Sequence, residues 1–226
     1  MYRSADPEDR ARALWLLARI PMRGARYVAS AARDADPNMR IVAIRATRRI
    51  GADVLPLARQ LVRDPSPAVR REVALALRHS NSPAAPALWT ELASQYDGAD
   101  RWYLEALGIA ADRQWDRYFG AWLDKVGDGW NTPAGRDIVW RARSARALPL
   151  LARLATDSAS SVDSRLRYFR ALDFQQAEGR QRTLLAMLAT PAGSSAQLTP
   201  VILGQLDAKS SKFVSELFCE IVLMFV

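Results

Sequence analysis

"DPNMRIVAIRATRRI", residues Asp36–Ile50, decides the fold, because it is echoed on both sides. "DPEDRARALWLLARI" begins thirty residues earlier at Asp6, and "PSPAVRREVALALRHS" carries Ser66-Pro67 thirty residues later. Stacked at that step, Pro7, Pro37 and Pro67 form one column and Arg10, Arg40 and Arg70 another. Ala13, Ala43 and Val73 follow, then Leu14, Ile44 and Ala74, then Leu16, Ala46 and Ala76. Apolar positions three and four apart define one face of a helix. Asp or Ser before Pro reads as a helix start: a capping oxygen, then a residue whose missing N–H costs nothing in the first turn.

A second helix completes each repeat. Val54–Val62 and Ala84–Ala93 align at the same step, with Pro56 over Pro86. A helix, a short turn and a second helix cannot bury their apolar face alone, so units of this kind stack on their neighbours. At thirty residues the fourth unit is "DRWYLEALGIAADRQWD", Asp100–Asp116. Tyr103, Leu104, Ala106 and Leu107 then fall in core columns, as do Trp115, Tyr118 and Trp122 of the following helix. Asp100 lands in the arginine column and is expected to face Arg70 across the interface between units. Trp102 falls on Arg12, Val42 and Glu72, a mostly polar column.

The period loosens beyond this point. "VGDGWNTP" (Val126–Pro133) reads as a long turn, with helices expected at Ala134–Arg143 and after Pro149. A sixth unit is expected at Val162–Leu172 and Glu178–Leu188, then a loop at Thr190–Gln197 and a helix near Leu198–Leu206. The sequence therefore predicts an all-α protein, a right-handed α-solenoid of about six short helical pairs over residues 1–190. Residues 191–226 are expected to cap it or to begin a truncated further repeat. In that tail Phe213, Leu217, Ile221 and Met224 are spaced as one helical face.

Composition narrows the function classes. The 226 residues are 50% hydrophobic and carry a formal charge of +8. The basic residues are almost all arginine and are interleaved with acids: 18 against 13 in residues 1–113, and 14 against 11 in residues 114–226. A nucleic-acid binder shows a basic block or stripe, so nucleic acid is not the expected partner. One cysteine, Cys219, and one histidine, His79, leave neither a disulfide nor a Cys/His metal or haem motif, and no cofactor is expected. "LFCEIVLMFV" (Leu217–Val226) is well short of the roughly 20 residues of a membrane span. No nucleotide-binding or nucleophile-elbow motif occurs. Asp100, Glu105, Asp112 and Asp116 are read as helix-end and surface acids, not as an acid–base pair, and no small-molecule substrate is expected.

Candidate interaction residues are those the repeat explains least. Trp102 sits in a polar column and Trp130 in a turn, while Arg45, Arg48, Arg49, Arg71 and Arg78 are placed for a surface patch. Arg10, Arg40, Arg70 and Asp100 recur at one repeat position and are expected to form a structural ladder between units.

Helical pairs of thirty residues with a D-P-x-x-x-R start resemble short HEAT repeats. "DADPNMRIVAIRATRR", "DPSPAVRREVALALRHSNSPAAPALW", the block from Tyr96 to Arg141 and "RYFRALDFQ" together resemble the HEAT region of large multidomain dehydrogenase-like proteins of planctomycetes. There the array lies between a sugar-dehydrogenase-type propeller and a cytochrome c domain. The resemblance covers roughly residues 5–190. It implies a non-catalytic spacer or protein-interaction module whose partners are neighbouring domains or another protein, and an exported location for the parent. This chain has no C-x-x-C-H and no propeller, so neither haem nor redox activity passes to its residues. Two further readings are a DNA glycosylase-like solenoid, suggested by Trp115-Asp116, and a phycobilin-lyase-like enzyme.

Overall fold

The computed structural model describes residues 4–193 and 195–206. Among these, every regular element is a helix. Contacts divide the chain into two compact units, the first ending at Ala142 and the second beginning at Arg143.

The first unit pairs α1 (Pro7–Leu17) with α2 (Gly24–Ala31), α3 (Pro37–Arg49) with α4 (Leu55–Leu61), α5 (Pro67–Ala76) with α6 (Ala85–Ala93), and α7 (Arg101–Ala110) with α8 (Trp115–Val126). It closes with a 3-10 turn (Gly127–Trp130) and α9 (Pro133–Arg141). First helices pack on first helices, α1 on α3, α3 on α5, α5 on α7 and α7 on α9. Second helices pack in a parallel row, α4 on α6 and α6 on α8. Two rows of helices, each touching its neighbours, make this unit an α-solenoid.

The helix starts follow from their caps. Asp6 and Asp36 accept from the N–H of Glu8 and Asn38, each at 2.8 Å, with proline next in both cases. Ser66 has the extended backbone of a cap, yet its side chain makes no capping bond. Its own N–H is held by Asp64 Oδ1 at 2.9 Å instead, as the N–H of Asp36 is held by Asp34. Asp100 caps α7, accepting from the N–H of Tyr103 at 3.1 Å.

That last cap moves the register. α5 opens at Pro67 and α7 at Arg101, a step of 34 residues rather than 30. In the arginine column the fourth member is therefore Leu104 and not Asp100. The apolar face is unaffected, since a slip of four residues is close to one helical turn.

The core is formed by the inward faces of both rows. Leu14, Ile44, Val73, Leu77 and Leu107 line the first helices, and Trp89, Leu92, Tyr118 and Phe119 fill the second row. Trp89 stands edge-on to Trp115 and Tyr118 at 6.2 and 5.9 Å between ring centres. Their polar ends are satisfied across the rows: Trp89 Nε1 donates to Leu107 O, Tyr103 Oη to Leu92 O and Tyr118 Oη to Leu77 O, each at 3.0 Å. Burial pushes both tyrosine phenols above their ordinary pKa. Leu16, expected in the core, is 63% exposed. α1 has one first-helix neighbour among the described residues, whereas Ala46 and Ala76 of the same column lie in helices flanked on both sides.

The second unit contains a 3-10 turn (Ala145–Ala147), α10 (Leu148–Ala155), α11 (Val162–Leu172), α12 (Ala177–Leu188) and α13 (Thr199–Gln205). α10 packs on α11 and α12, and α12 on α13. Leu151, Phe169, Leu172, Leu184, Leu198 and Ile202 are its buried centre. The fifth helical pair expected from sequence is thus divided between the units, α9 in the first and α10 in the second. Cys219 and the apolar tail lie outside the described residues. No helix of the described residues is long and apolar enough to cross a membrane.

Candidate interaction groove

The arginine column sits at the seam between successive first helices. Arg10 pairs with Asp34. Arg40 takes Asp64 with two parallel bonds, Nε to Oδ2 at 2.7 Å and Nη2 to Oδ1 at 2.8 Å. Its remaining nitrogen donates to the carbonyls of Asp34 and Ala35, at 2.7 and 3.1 Å. Arg70 repeats that second half, donating to the carbonyls of Asp64 and Pro65 at 2.7 and 3.2 Å. Its other side differs, because position 94 is a serine: the guanidinium lies over the Tyr103 ring, 5.5 Å from its centre. The expected pairing of Arg70 with Asp100 is replaced by Arg71 with Asp100 at 3.0 Å. The four-residue shift of α7 makes Asp100 a cap and turns it toward the preceding arginine's neighbour.

Asp34 shows the competing forces at such a seam. Burial pushes its carboxyl up, but the Asp36 N–H and the Arg10 guanidinium outweigh this and hold it below the usual carboxylate range.

The five arginines expected to form a free patch are mostly engaged. Arg45 and Arg48 share the buried Glu72, at 2.8 and 3.8 Å. Arg71 holds Asp100, and Arg78 holds Asp112 at 2.8 Å, which lowers the Asp112 pKa. Of these five, Arg49 is the one without an ion pair among the described residues. Sequence periodicity misses this because each acid lies 24 to 34 residues from its arginine, in or beside the next helix of the row.

Trp130 is also not on the surface. It is 4% exposed, folded inward by the 3-10 turn. Its carbonyl oxygen is so close to Gly135 that a Cβ there would collide with it, which explains glycine in the first turn of α9.

Trp102, by contrast, is 72% exposed. With α7 in its true register, Trp102 takes the repeat position held by Asn38 in α3 and Ala68 in α5. Around it runs a groove of about 370 Å³ across α3, α5 and α7. Ile41, Leu75 and Ile109 give it an apolar strip, Ala68 and Ala106 a shallow floor, and Arg45, Arg71, Glu72 and Glu105 charged walls. So the structure brings together Trp102, Arg45 and Arg71 of the expected surface, sets Arg48 beside them through Glu72, and leaves Arg78 in the next column with Asp112. Glu105 is held by Arg141 at 3.0 Å, which reaches it over Gly108, where a Cβ would meet the guanidinium and oblige it to shift.

Sequence reading missed Ile41, Leu75, Ile109, Glu72 and Glu105. One signal was present: Ile41, Arg45 and Arg49 are spaced four apart on one stripe of α3. The remainder needed the 34-residue step. Among the described residues no group of three or more His, Cys, Asp or Glu side chains is placed to hold a metal.

The family described as HEAT repeats matches residues 26–108, from α2 through most of α7. No curated protein and no solved structure matches the chain. HEAT repeats generally serve as scaffolds and interaction modules. Residues 26–108, which hold the stacked helices α3 to α6 and the Asp36-Pro37 start, are therefore similar to HEAT repeats.

Proposed function

We propose that this chain is a non-catalytic scaffold and protein-interaction module. The observation that carries the reading is the exposed groove on α3, α5 and α7: an unburied tryptophan and apolar strip held on rigidly stacked helices. Rigid presentation reduces the ordering cost of binding, and aromatic and arginine side chains are the residues that dominate protein interfaces. The finer reading is that the array is the spacer segment of a larger redox protein, joining a propeller to a haem domain. It rests on the resemblance of the blocks quoted above. A DNA glycosylase-like role draws less support, since Arg71 and Arg78 each pair with a carboxylate within the array and Glu72 lies between Arg45 and Arg48.

Two measurements test these readings. The purified chain is expected to show no sugar-dependent dye reduction, and turnover by the chain alone would overturn the scaffold reading. Sequencing the native locus on both sides tests the spacer. A propeller-coding stretch together with a C-x-x-C-H motif in frame supports it, and an isolated gene rules it out.

A further inference from the structure

We propose that the groove across α3, α5 and α7 takes an acidic protein segment carrying a large apolar anchor, seated against Trp102. The inference rests on the interaction-module reading and names its partner by chemistry.

Two features of the groove select that chemistry. The first is apolar surface left open in one place. Trp102 is largely exposed, Ile109 is partly so, and both border the strip that continues through Leu75 to Ile41. A single exposed apolar residue is ordinary, but a tryptophan above a strip of three aliphatic side chains is a contiguous patch. An aromatic or branched side chain laid along the strip would cover the indole face.

The second feature is an imbalance of charge around the patch. Glu72 is the one carboxylate serving both Arg45 and Arg48, so one of those guanidinium groups remains uncompensated. Arg49 continues the same stripe of α3 and has no acid partner among the described residues. On α7, Arg101 is exposed and its contact with Glu105 is long, at 3.8 Å, because Arg141 holds that carboxylate more closely. Cations thus exceed carboxylates on both flanks of the apolar strip. Complementary charge steers encounter and fixes register more than it adds affinity.

The same arrangement disfavours a nucleic-acid strand. Glu72, Asp100 and Glu105 interrupt the arginines, and a phosphate backbone crossing the groove would meet carboxylates at α5 and α7. A peptide can space its acids to meet Arg49 and Arg101 while its apolar side chain covers the strip between them.

The test is selection of random peptides displayed on phage against the immobilised full chain, followed by fluorescence anisotropy of the enriched peptides. Enriched peptides are expected to be net acidic around an aromatic or large aliphatic residue. Trp102→Ala should weaken their binding at least about tenfold, the size typical of a central tryptophan anchor. Arg49→Glu should weaken binding and flatten its salt dependence. Enriched peptides that are not acidic, or no enrichment at all, would overturn the proposal, as would a labelled DNA duplex that binds more tightly than any selected peptide. Peptides that bind indifferently to Trp102→Ala would also defeat the groove, yet leave the interaction-module reading intact. Catalytic turnover would defeat that reading independently.

Discussion

Arg40 and Asp64 are joined by two parallel hydrogen bonds, 2.7 and 2.8 Å long, across the seam between α3 and the start of α5. The Asp64 side chain is only 4% exposed. It also accepts from the Ser66 N–H at 2.9 Å, so one carboxylate fixes the approach to α5 and ties it to the preceding helix. Breaking a buried pair by removing one partner leaves an uncompensated charge. Asp64→Ala and Arg40→Ala are each expected to cost about 3 kcal/mol. The double variant should cost clearly less than their sum, as chemical denaturation of all four proteins would show.

Two tryptophans of neighbouring elements should behave oppositely. Trp89 is fully buried and donates to Leu107 O, so Trp89→Ala is expected to destabilise by about 3–5 kcal/mol. Trp102 is mostly in solvent, and Trp102→Ala is expected to change stability by less than about 0.5 kcal/mol. Thermal melts of the two variants would check the contrast.

Glycine is required at the start of α9 and not at a nearby turn position. A Cβ on Gly135 would meet the Trp130 carbonyl, whereas one on Gly129 would meet nothing within 4 Å. Gly135→Ala should cost about 1–3 kcal/mol, the range for forced overpacking, with Gly129→Ala near neutral. Denaturant midpoints are the readout.

Acid should weaken the array. The Arg63 guanidinium bonded to Glu91 lowers that carboxyl against the opposing effect of burial, and Arg78 does the same for Asp112. Asp34 is likewise lowered despite burial. A carboxyl depressed in the folded state contributes stability above its unfolded pKa and loses it as pH falls through the folded one. Stability is therefore expected to hold above about pH 5 and to fall steadily below about pH 4, the ordinary carboxylate range. Unfolding free energies at several pH values would show this, and Asp34→Asn should make the decline shallower.

Much of the fold was legible in the repeat. Asp6-Pro7, Asp36-Pro37 and Ser66-Pro67 mark helix starts because the fit of proline to the first turn is a local property of the backbone. The apolar columns follow from the 3.6-residue period, another local property. Both are fixed by neighbours along the chain, so the sequence alone determined that this protein is helical and stacked.

Register and pairing are not local. The four-residue slip before α7 leaves its apolar face in place, so periodicity could not reveal it; the Asp100 cap, bonded to Tyr103, does. From that slip follow the pairing of Asp100 with Arg71 and the placing of Trp102 at the repeat position of Ala68, beside the groove. Whether an arginine is free or spent depends on an acid one helix away in space and up to 34 residues away in sequence. Trp130 reads as a turn residue and is buried, because the chain folds back onto Gly135. Those outcomes belong to the tertiary structure, since packing between helices sets which side chains meet, and no property of one helix encodes its neighbour's offset.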